Sequence, residues 1–357
     1  MNSIQVDVFV IGAGVIGSWV ALHSISKGYT TAICDWLDSD GISTRNSGVL
    51  HAALYYDANS LKSKHCVTGR RLTEQFIDTY SLPILRCGKI VTNGKSASPE
   101  SVDKLFEIAK SNGAEQISLI DLPNENYQNI YGSRAILSKS TTVIDTSAYL
   151  KCLHRLIEEK GGLFLQGSRF IEGQPSHFLI ENQNRQTETI QSEFLINAAG
   201  LFSDSIANRA GLTEYKIQPV RGEYYRLKKN HTIKTLVYGL PAAFIDKTDT
   251  ALGIHYTIQP SGETYLGPNS KIATNKSDYN ITASAQEFAE SAGELIEGIN
   301  EFDLVPGYSG LRPRLFRNQK PVTDFVIQES QPGFYHFLGI ESPGLTCAPS
   351  LVTELPF

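Results

Sequence analysis

Residues 6–17, VDVFVIGAGVIG, carry an apolar run, Val6 to Ile11, that breaks into Gly12-Ala13-Gly14-Val15-Ile16-Gly17. A helical pattern follows to about Lys27, and a second apolar run, Thr30 to Cys34, ends at Asp35. Strand, glycine turn, helix, strand and terminal acid, in that order, mark a dinucleotide-binding βαβ unit. Gly12 permits the tight turn, Gly14 lets the backbone approach a pyrophosphate, and Gly17 lets helix and strand pack closely. The helix N-terminus presents unpaired N–H groups and the positive end of its dipole to the phosphates. Asp35 stands where a carboxylate accepts hydrogen bonds from a ribose diol. The motif alone does not separate NAD from FAD, so that decision comes from the rest of the chain.

Composition narrows the function classes. A chain of 357 residues, 41% hydrophobic, is long enough for two domains with cores of their own. The net charge is −5 and the basic residues are scattered, which argues against a nucleic-acid partner. No apolar run reaches the roughly 18–20 residues that span a bilayer. The N-terminal apolar run leads straight into the glycine loop and lacks a basic flank, so it does not read as a signal peptide. Cys34, Cys66, Cys87, Cys152 and Cys347 are dispersed, with no metal-ligand spacing. Reduced thiols and a cytoplasmic location are expected, with peripheral contact at the inner face of a membrane left open.

Hydrophobic periodicity predicts helices over about 60–80, 99–111, 146–159 and 283–297. Strands are expected over 84–92, 117–120, 163–165, 178–181, 188–190, 193–197 and 334–338, with several antiparallel strands between Tyr224 and Gly267. Nucleotide-type elements thus recur at the start, middle and end of the chain, with antiparallel material between them. The expected class is α/β (α+β overall), a Rossmann-like domain interleaved with an antiparallel-sheet substrate domain. The first would comprise residues 1–82, 143–217 and 325–357, and the second 83–142 and 218–324.

Four further segments belong with the glycine loop. They are Thr44-Arg45-Asn46-Ser47-Gly48-Val49-Leu50-His51-Ala52, Asn197-Ala198-Ala199-Gly200, Arg221-Gly222-Glu223-Tyr224-Tyr225, and Gly339-Ile340-Glu341-Ser342-Pro343-Gly344-Leu345-Thr346. Together they resemble the FAD-dependent oxidoreductases of the D-amino-acid-oxidase superfamily, most closely its L-2-hydroxyglutarate dehydrogenase/oxidase branch. The resemblance runs from Val6 to Leu351. It implies FAD, bound non-covalently, as the dinucleotide, and a flavin has uses for the later segments that a nicotinamide lacks. It also implies that Thr44, Arg45, Asn46 and Ser47 lie along the FAD, and that Ala199 and Gly200 end a central strand beside its phosphates. In the same way it sets Gly339, Ser342, Gly344, Leu345 and Thr346 at a strand-to-helix turn whose N–H groups would stabilise negative charge on the reduced ring.

The resemblance further implies that Arg312, in Gly310-Leu311-Arg312-Pro313, pairs with a substrate carboxylate, with Arg314 and Arg317 competing for that task. Oxidising a 2-hydroxy acid moves hydride from Cα to flavin N5 while a base removes the hydroxyl proton. His51 and His255 are the candidate bases. Tyr224 and Tyr225 would place a phenol in the pocket, and Tyr225 stands with the catalytic candidates. His51 also follows a loop through which some superfamily members tether FAD. A second carboxylate on the substrate needs its own anchor, for which Lys62, Arg86, Lys89 and Arg221 are candidates. The chain departs from the branch at Ala53, where glycine is usual, and at Thr141-Thr142-Val143-Ile144-Asp145.

The expected activity is FAD-dependent oxidation of a small L-2-hydroxy acid, 2-hydroxyglutarate-like, to the 2-oxo acid. An amino-acid or secondary-amine oxidase on the same scaffold is the alternative, and a non-catalytic flavoprotein a further one. Oxygen, a quinone or a protein would accept the electrons.

Overall fold

The computed structural model describes residues 4–36, 41–229, 232–241, 244 and 253–357. The chain divides into two units, residues 1–45, 146–219 and 312–357 in the first and 46–145 with 220–311 in the second.

The first unit is built on parallel strands in the order Phe334–Leu338, Thr187–Asn197, Ile4–Ile11, Thr31–Asp35 and Leu163–Gln166. Val8 to Ile11 and Thr31 to Cys34 are buried without alternation, as expected of strands covered on both faces. The helices Val15–Ser26 and Thr146–Glu159 pack together, and Trp19 Nε1 donates to the Tyr149 hydroxyl at 2.6 Å. Tyr149, Leu150, Leu153, Leu156 and Ile157, at helical spacing, form the buried stripe of the second helix. Each large apolar side chain so buried contributes roughly 1.5–3 kcal/mol. An antiparallel hairpin, Ser168–Gln174 with His177–Asn182, adds Phe170, Phe178 and Ile180 to a core shared with Phe9 and Phe334.

Thr187–Asn197 is one long strand where two short ones were expected, because polar Gln191 and Ser192 interrupt its apolar pattern. Its first half pairs with the hairpin and its end pairs with Phe334–Leu338. At that end Asn197 Nδ2 donates to the Ser203 carbonyl and to His336 Nδ1, leaving the other ring nitrogen of His336 to donate to Ser330 Oγ. Burial lowers the His336 pKa to about 4, so the ring is neutral and can accept from Asn197.

The second unit is a mixed sheet. Its order is Leu304–Arg317, Tyr215–Leu227, Thr264–Gly267, His255–Ile258, Leu236–Gly239, Lys89–Thr92, Arg134–Ser138 and Ile117–Asp121. From Tyr215–Leu227 through Thr264–Gly267, His255–Ile258 and Leu236–Gly239 the neighbours run antiparallel, Leu236–Gly239 pairs parallel with Lys89–Thr92, and the last two pairings are antiparallel again. Period-two alternation sorts the side chains onto two faces. Ile90, Val237, Tyr256, Leu266, Tyr225 and Leu227 join one core with Phe288 of the helix Ala285–Gly293. Val91, Ile136, Leu236 and Tyr238 join the other, with Val102, Leu105 and Ala109 of the helix Pro99–Ser111. Part of the expected antiparallel region between Tyr224 and Gly267 lies outside the described residues.

Two boundaries differ widely from expectation, and the other two by two or three residues. Residues 46–82 fall in the second unit, because Val49–Leu50 pairs with Thr142–Ile144, which pairs in turn with Ile84–Leu85. Val49, Ala52 and Leu54 then complete the core beneath the helix Pro99–Ser111. Residues 312–324 fall in the first unit.

A Cβ at Gly17 would land on the backbone carbonyl oxygen of Gly12, which cannot step aside. Gly17→Ala should therefore cost about 3 kcal/mol or more. Gly293→Ala, where nothing lies within 4 Å, should be neutral or stabilising. Denaturant unfolding of the two purified variants measures the difference, and equal stability would contradict the packing argument.

Candidate active site

In the first unit the glycine loop is held from three sides. Asp35 Oδ2 accepts from Ala13 N–H at 2.7 Å, Ser43 Oγ accepts from Val15 N–H at 2.9 Å, and His154 Nε2 lies 2.8 Å from the Ala13 carbonyl. One oxygen of Asp35, the expected ribose ligand, is therefore committed to shaping the loop. Gly12 has φ +100°, and a Cβ there would lie 2.6 Å from the Ala198 carbonyl oxygen. A Cβ at Gly14 would lie 2.9 Å from Ser43 Oγ. Ala198, Ala199 and Gly200 follow the buried Asn197, and Gly200 has φ +54°.

The other expected cofactor residues of this unit cluster at two turns. Thr44 and Arg45 donate their N–H groups to the Gly41 carbonyl. Gly339, with φ +66°, leads from the strand Phe334–Leu338 toward the helix Gly344–Leu351. Ser342 is exposed in the turn before that helix, while Leu345 is half-buried and Thr346 fully buried. A Cβ at Gly344 would lie 2.6 Å from Ile340 Cγ2, so the turn is as tight as the motif suggested.

The three competing arginines differ in what they touch. Arg314 pairs with Glu341 at 3.2 Å and Arg317 with Glu214 at 3.6 Å. Arg312 is half-buried and makes no ion pair or hydrogen bond among the described residues. All three belong to Leu304–Arg317, a strand where a loop was the simpler expectation, since Pro306, Gly307, Gly310 and Pro313 all disfavour one.

In the second unit one face of the sheet gathers aromatic and ionisable groups. His255 stacks on Tyr238 with ring centroids 3.6 Å apart, and Tyr224 stacks on Tyr308 at 4.4 Å. Lys89 Nζ lies 4.7 Å from the Tyr238 ring centroid and 5.2 Å from that of Tyr55. His51 lies edge-on to Tyr55 at 6.5 Å, and Cys66 Sγ donates to the His51 carbonyl. Burial, reinforced by Lys89, holds the His51 imidazole well below its usual pKa, so it is neutral. Asn46 and Ser47 are fixed through their carbonyls, which accept from the Tyr308 hydroxyl at 3.0 Å and Gln259 Nε2 at 3.2 Å.

Tyr225 is not on this face. Its hydroxyl donates to the Ala283 carbonyl at 2.8 Å and its ring packs on Phe288, so its role is packing; the strand's alternation sends Tyr224 to the site face instead. Arg221 is equally committed. It contacts Glu223 at 2.9 Å, Asp278 at 2.7 Å and Thr282 Oγ1 at 2.9 Å. Burial raises the Glu223 pKa, but the N–H groups of Ala283 and Thr282, the Thr282 hydroxyl and Arg221 together outweigh it and hold the carboxyl ionised. The Arg221–Tyr225 motif is thus a satisfied ionic lock, which also ties Glu223 N–H to Asn269 Oδ1 at 2.8 Å.

A family model described as FAD dependent oxidoreductase matches residues 7–355. The chain belongs to that family. Its cofactor is FAD, and it is an oxidoreductase. Family relatives include the mitochondrial L-2-hydroxyglutarate dehydrogenase of Arabidopsis thaliana, 27% identical over 98% of this chain and 83% of its own length. The L-2-hydroxyglutarate dehydrogenase of Escherichia coli strain K12 is 29% identical over 76% of this chain and 66% of its own. In fold the chain resembles the FAD-bound L-alpha-glycerophosphate oxidase of Mycoplasma pneumoniae, with a TM-score of 0.83 at 19% identity over 99% of this chain and 94% of that one. Among the described residues no helix is long and apolar enough to cross a membrane.

The glycine loop fits the family's cofactor, since Gly12 and Gly14 pack too closely against Ala198 and Ser43 to carry side chains, which keeps the backbone bare where the helix Val15–Ser26 starts. Lys89, Tyr55 and Tyr238 are site-face residues that sequence reasoning passed over or left among several candidates. The available signal was a lysine inside the apolar strand Lys89–Thr92. Gly14→Val should crowd Ser43 and lower FAD occupancy without unfolding the second unit. The 450 nm to 280 nm absorbance ratio reports the first and near-UV circular dichroism the second; full flavin content would refute the fit.

Proposed function

We propose that this enzyme oxidises L-2-hydroxyglutarate, or a close L-2-hydroxy diacid, to the 2-oxo acid. What supports this most is that relatives from a plant, a sea anemone and a bacterium, aligned over most of this chain, all carry the L-2-hydroxyglutarate dehydrogenase name. In this reading the Arg312 guanidinium, which pairs with nothing among the described residues, takes the C1 carboxylate in a two-pronged hydrogen-bonded pair. A neutral imidazole removes the hydroxyl proton, and His51 serves because burial and Lys89 keep it unprotonated. FAD, held non-covalently, supplies the two-electron acceptor for the hydride that leaves Cα. The stacked Tyr238–His255 and Tyr224–Tyr308 pairs present ring surface on the same face of the sheet. Oxygen, a quinone or a redox protein then removes the electrons.

Anaerobic mixing with L-2-hydroxyglutarate should bleach the flavin, whereas a panel of 2-amino acids should not; bleaching by amino acids alone would sink the proposal. Arg312→Ala should lower kcat/KM roughly 100-fold or more while leaving bound flavin intact. Unchanged kinetics would remove Arg312 from the site.

The pH dependence follows from the sign of the His51 shift. A base whose pKa is lowered stays unprotonated further into acid, so the acid limb of kcat/KM should fall below pH 6.5, the ordinary imidazole value. A limb at or above that value would reassign the base.

A further inference from the structure

Resting on the reading above, a diacid substrate brings a second carboxylate that needs an anchor of its own. The four basic residues considered for it separate cleanly by environment. Arg86 is exposed and paired with Asp78 at 2.6 Å. Arg221 is locked to Glu223 and Asp278. Lys62, on the helix Leu61–Thr79, is engaged by other groups. Lys89 is 0% exposed, and among the described residues its Nζ has no hydrogen-bond partner.

An ammonium carries three donors and no acceptor, so a buried one that hydrogen-bonds nothing is costly to hold. Here the sheet itself enforces the placement. Ile90 faces one core, so Lys89 and Val91 face the other, beside Tyr238 of the neighbouring strand. Among the described residues, the ionisable groups around Nζ are His51 and Tyr55 from the loop before the helix Leu61–Thr79, Cys66 on that helix, and Tyr238, none of them a carboxylate.

We propose that Lys89 receives the distal carboxylate of the substrate, and thereby makes this enzyme select 2-hydroxy diacids over 2-hydroxy monoacids. The two flanking rings hold the ammonium by cation–π attraction and supply no competing hydrogen-bond acceptor on their faces. Burial brings the Lys89 pKa down to about 7, and an incoming carboxylate restores its charge on binding. The same ammonium adds to the forces keeping His51 neutral, so anchor and base sit in one electrostatic field.

The experiment compares wild type, Lys89→Met and Lys89→Arg as holoenzymes of equal flavin content. Each is reduced anaerobically with L-2-hydroxyglutarate and with L-2-hydroxybutyrate, and titrated with glutarate by the flavin difference spectrum. Lys89→Met should raise the half-saturating L-2-hydroxyglutarate concentration roughly 100-fold and abolish the glutarate response, while L-2-hydroxybutyrate changes far less, and only through an acid limb moved up as His51 loses the neighbouring charge. Lys89→Arg, which keeps the charge, should retain the preference for the diacid, and it carries the test if the Met variant does not hold flavin. Equal effects on both hydroxy acids, or an unaltered diacid preference in Lys89→Met, overturns the assignment while the parent activity stands. Wild type reduced by neither acid defeats the parent activity; the glutarate titration still separates the variants if Lys89 binds a carboxylate, and equal titrations defeat that too.

Discussion

A side chain at residue 17 would meet the carbonyl of Gly12, so the first helix rests with its backbone against the end of the first strand. That contact aims the start of the helix Val15–Ser26 at the gap between the first strand and Ala198, where a second glycine position, Gly12, is equally starved of space. Asp35 and Ser43 then pin the loop amides, and His154 meets the loop carbonyl. The parallel sheet supplies the rigidity for this arrangement, because each of its central strands is hydrogen-bonded on both sides. A phosphate cradle of this kind is a property of backbone, and side chains serve it chiefly by staying out of the way.

The second unit applies the opposite logic. There the chemistry resides in side chains, and a pleated sheet decides which of them share a face. Lys89, Tyr238, His255 and Tyr224 stand together because Ile90, Val237, Tyr256 and Tyr225 are needed in the core behind them. Electrostatics follows from that sorting. Ion pairs are kept where they are fully satisfied, as in the Arg221–Glu223–Asp278 lock, and Lys89 is held by ring faces instead.

Much of this was legible in the sequence where local pattern and tertiary role agree. The helices Pro99–Ser111 and Thr146–Glu159 begin and end where their apolar stripes do. The strand Leu304–Arg317 was not legible, because its prolines and glycines speak against a strand and its pairing with Tyr215–Leu227 and Lys320–Pro321 makes it one. Tyr224 and Tyr225 show a subtler limit. Adjacent tyrosines on a strand are certain to face opposite ways, but which one meets the core depends on register with Thr264–Gly267. Arg221 and Lys89 were indistinguishable as basic residues, since the carboxylates that occupy the first lie at positions 223 and 278 and the second has none among the described residues.

The chain passes between its units four times, and the parallel sheet of the first joins residues 4–11, 187–197 and 334–338 side by side. A nascent polypeptide therefore makes its most apolar strand first and the strand that flanks Thr187–Asn197 almost last. Until translation nears its end, Val8 to Ile11 and Leu195 to Asn197 belong to a sheet with an open edge, the kind of surface that invites wrong pairing. A message cut short near its 3′ end would thus yield a product prone to aggregate, even though most of its coding length, and every residue of the second unit, had been read.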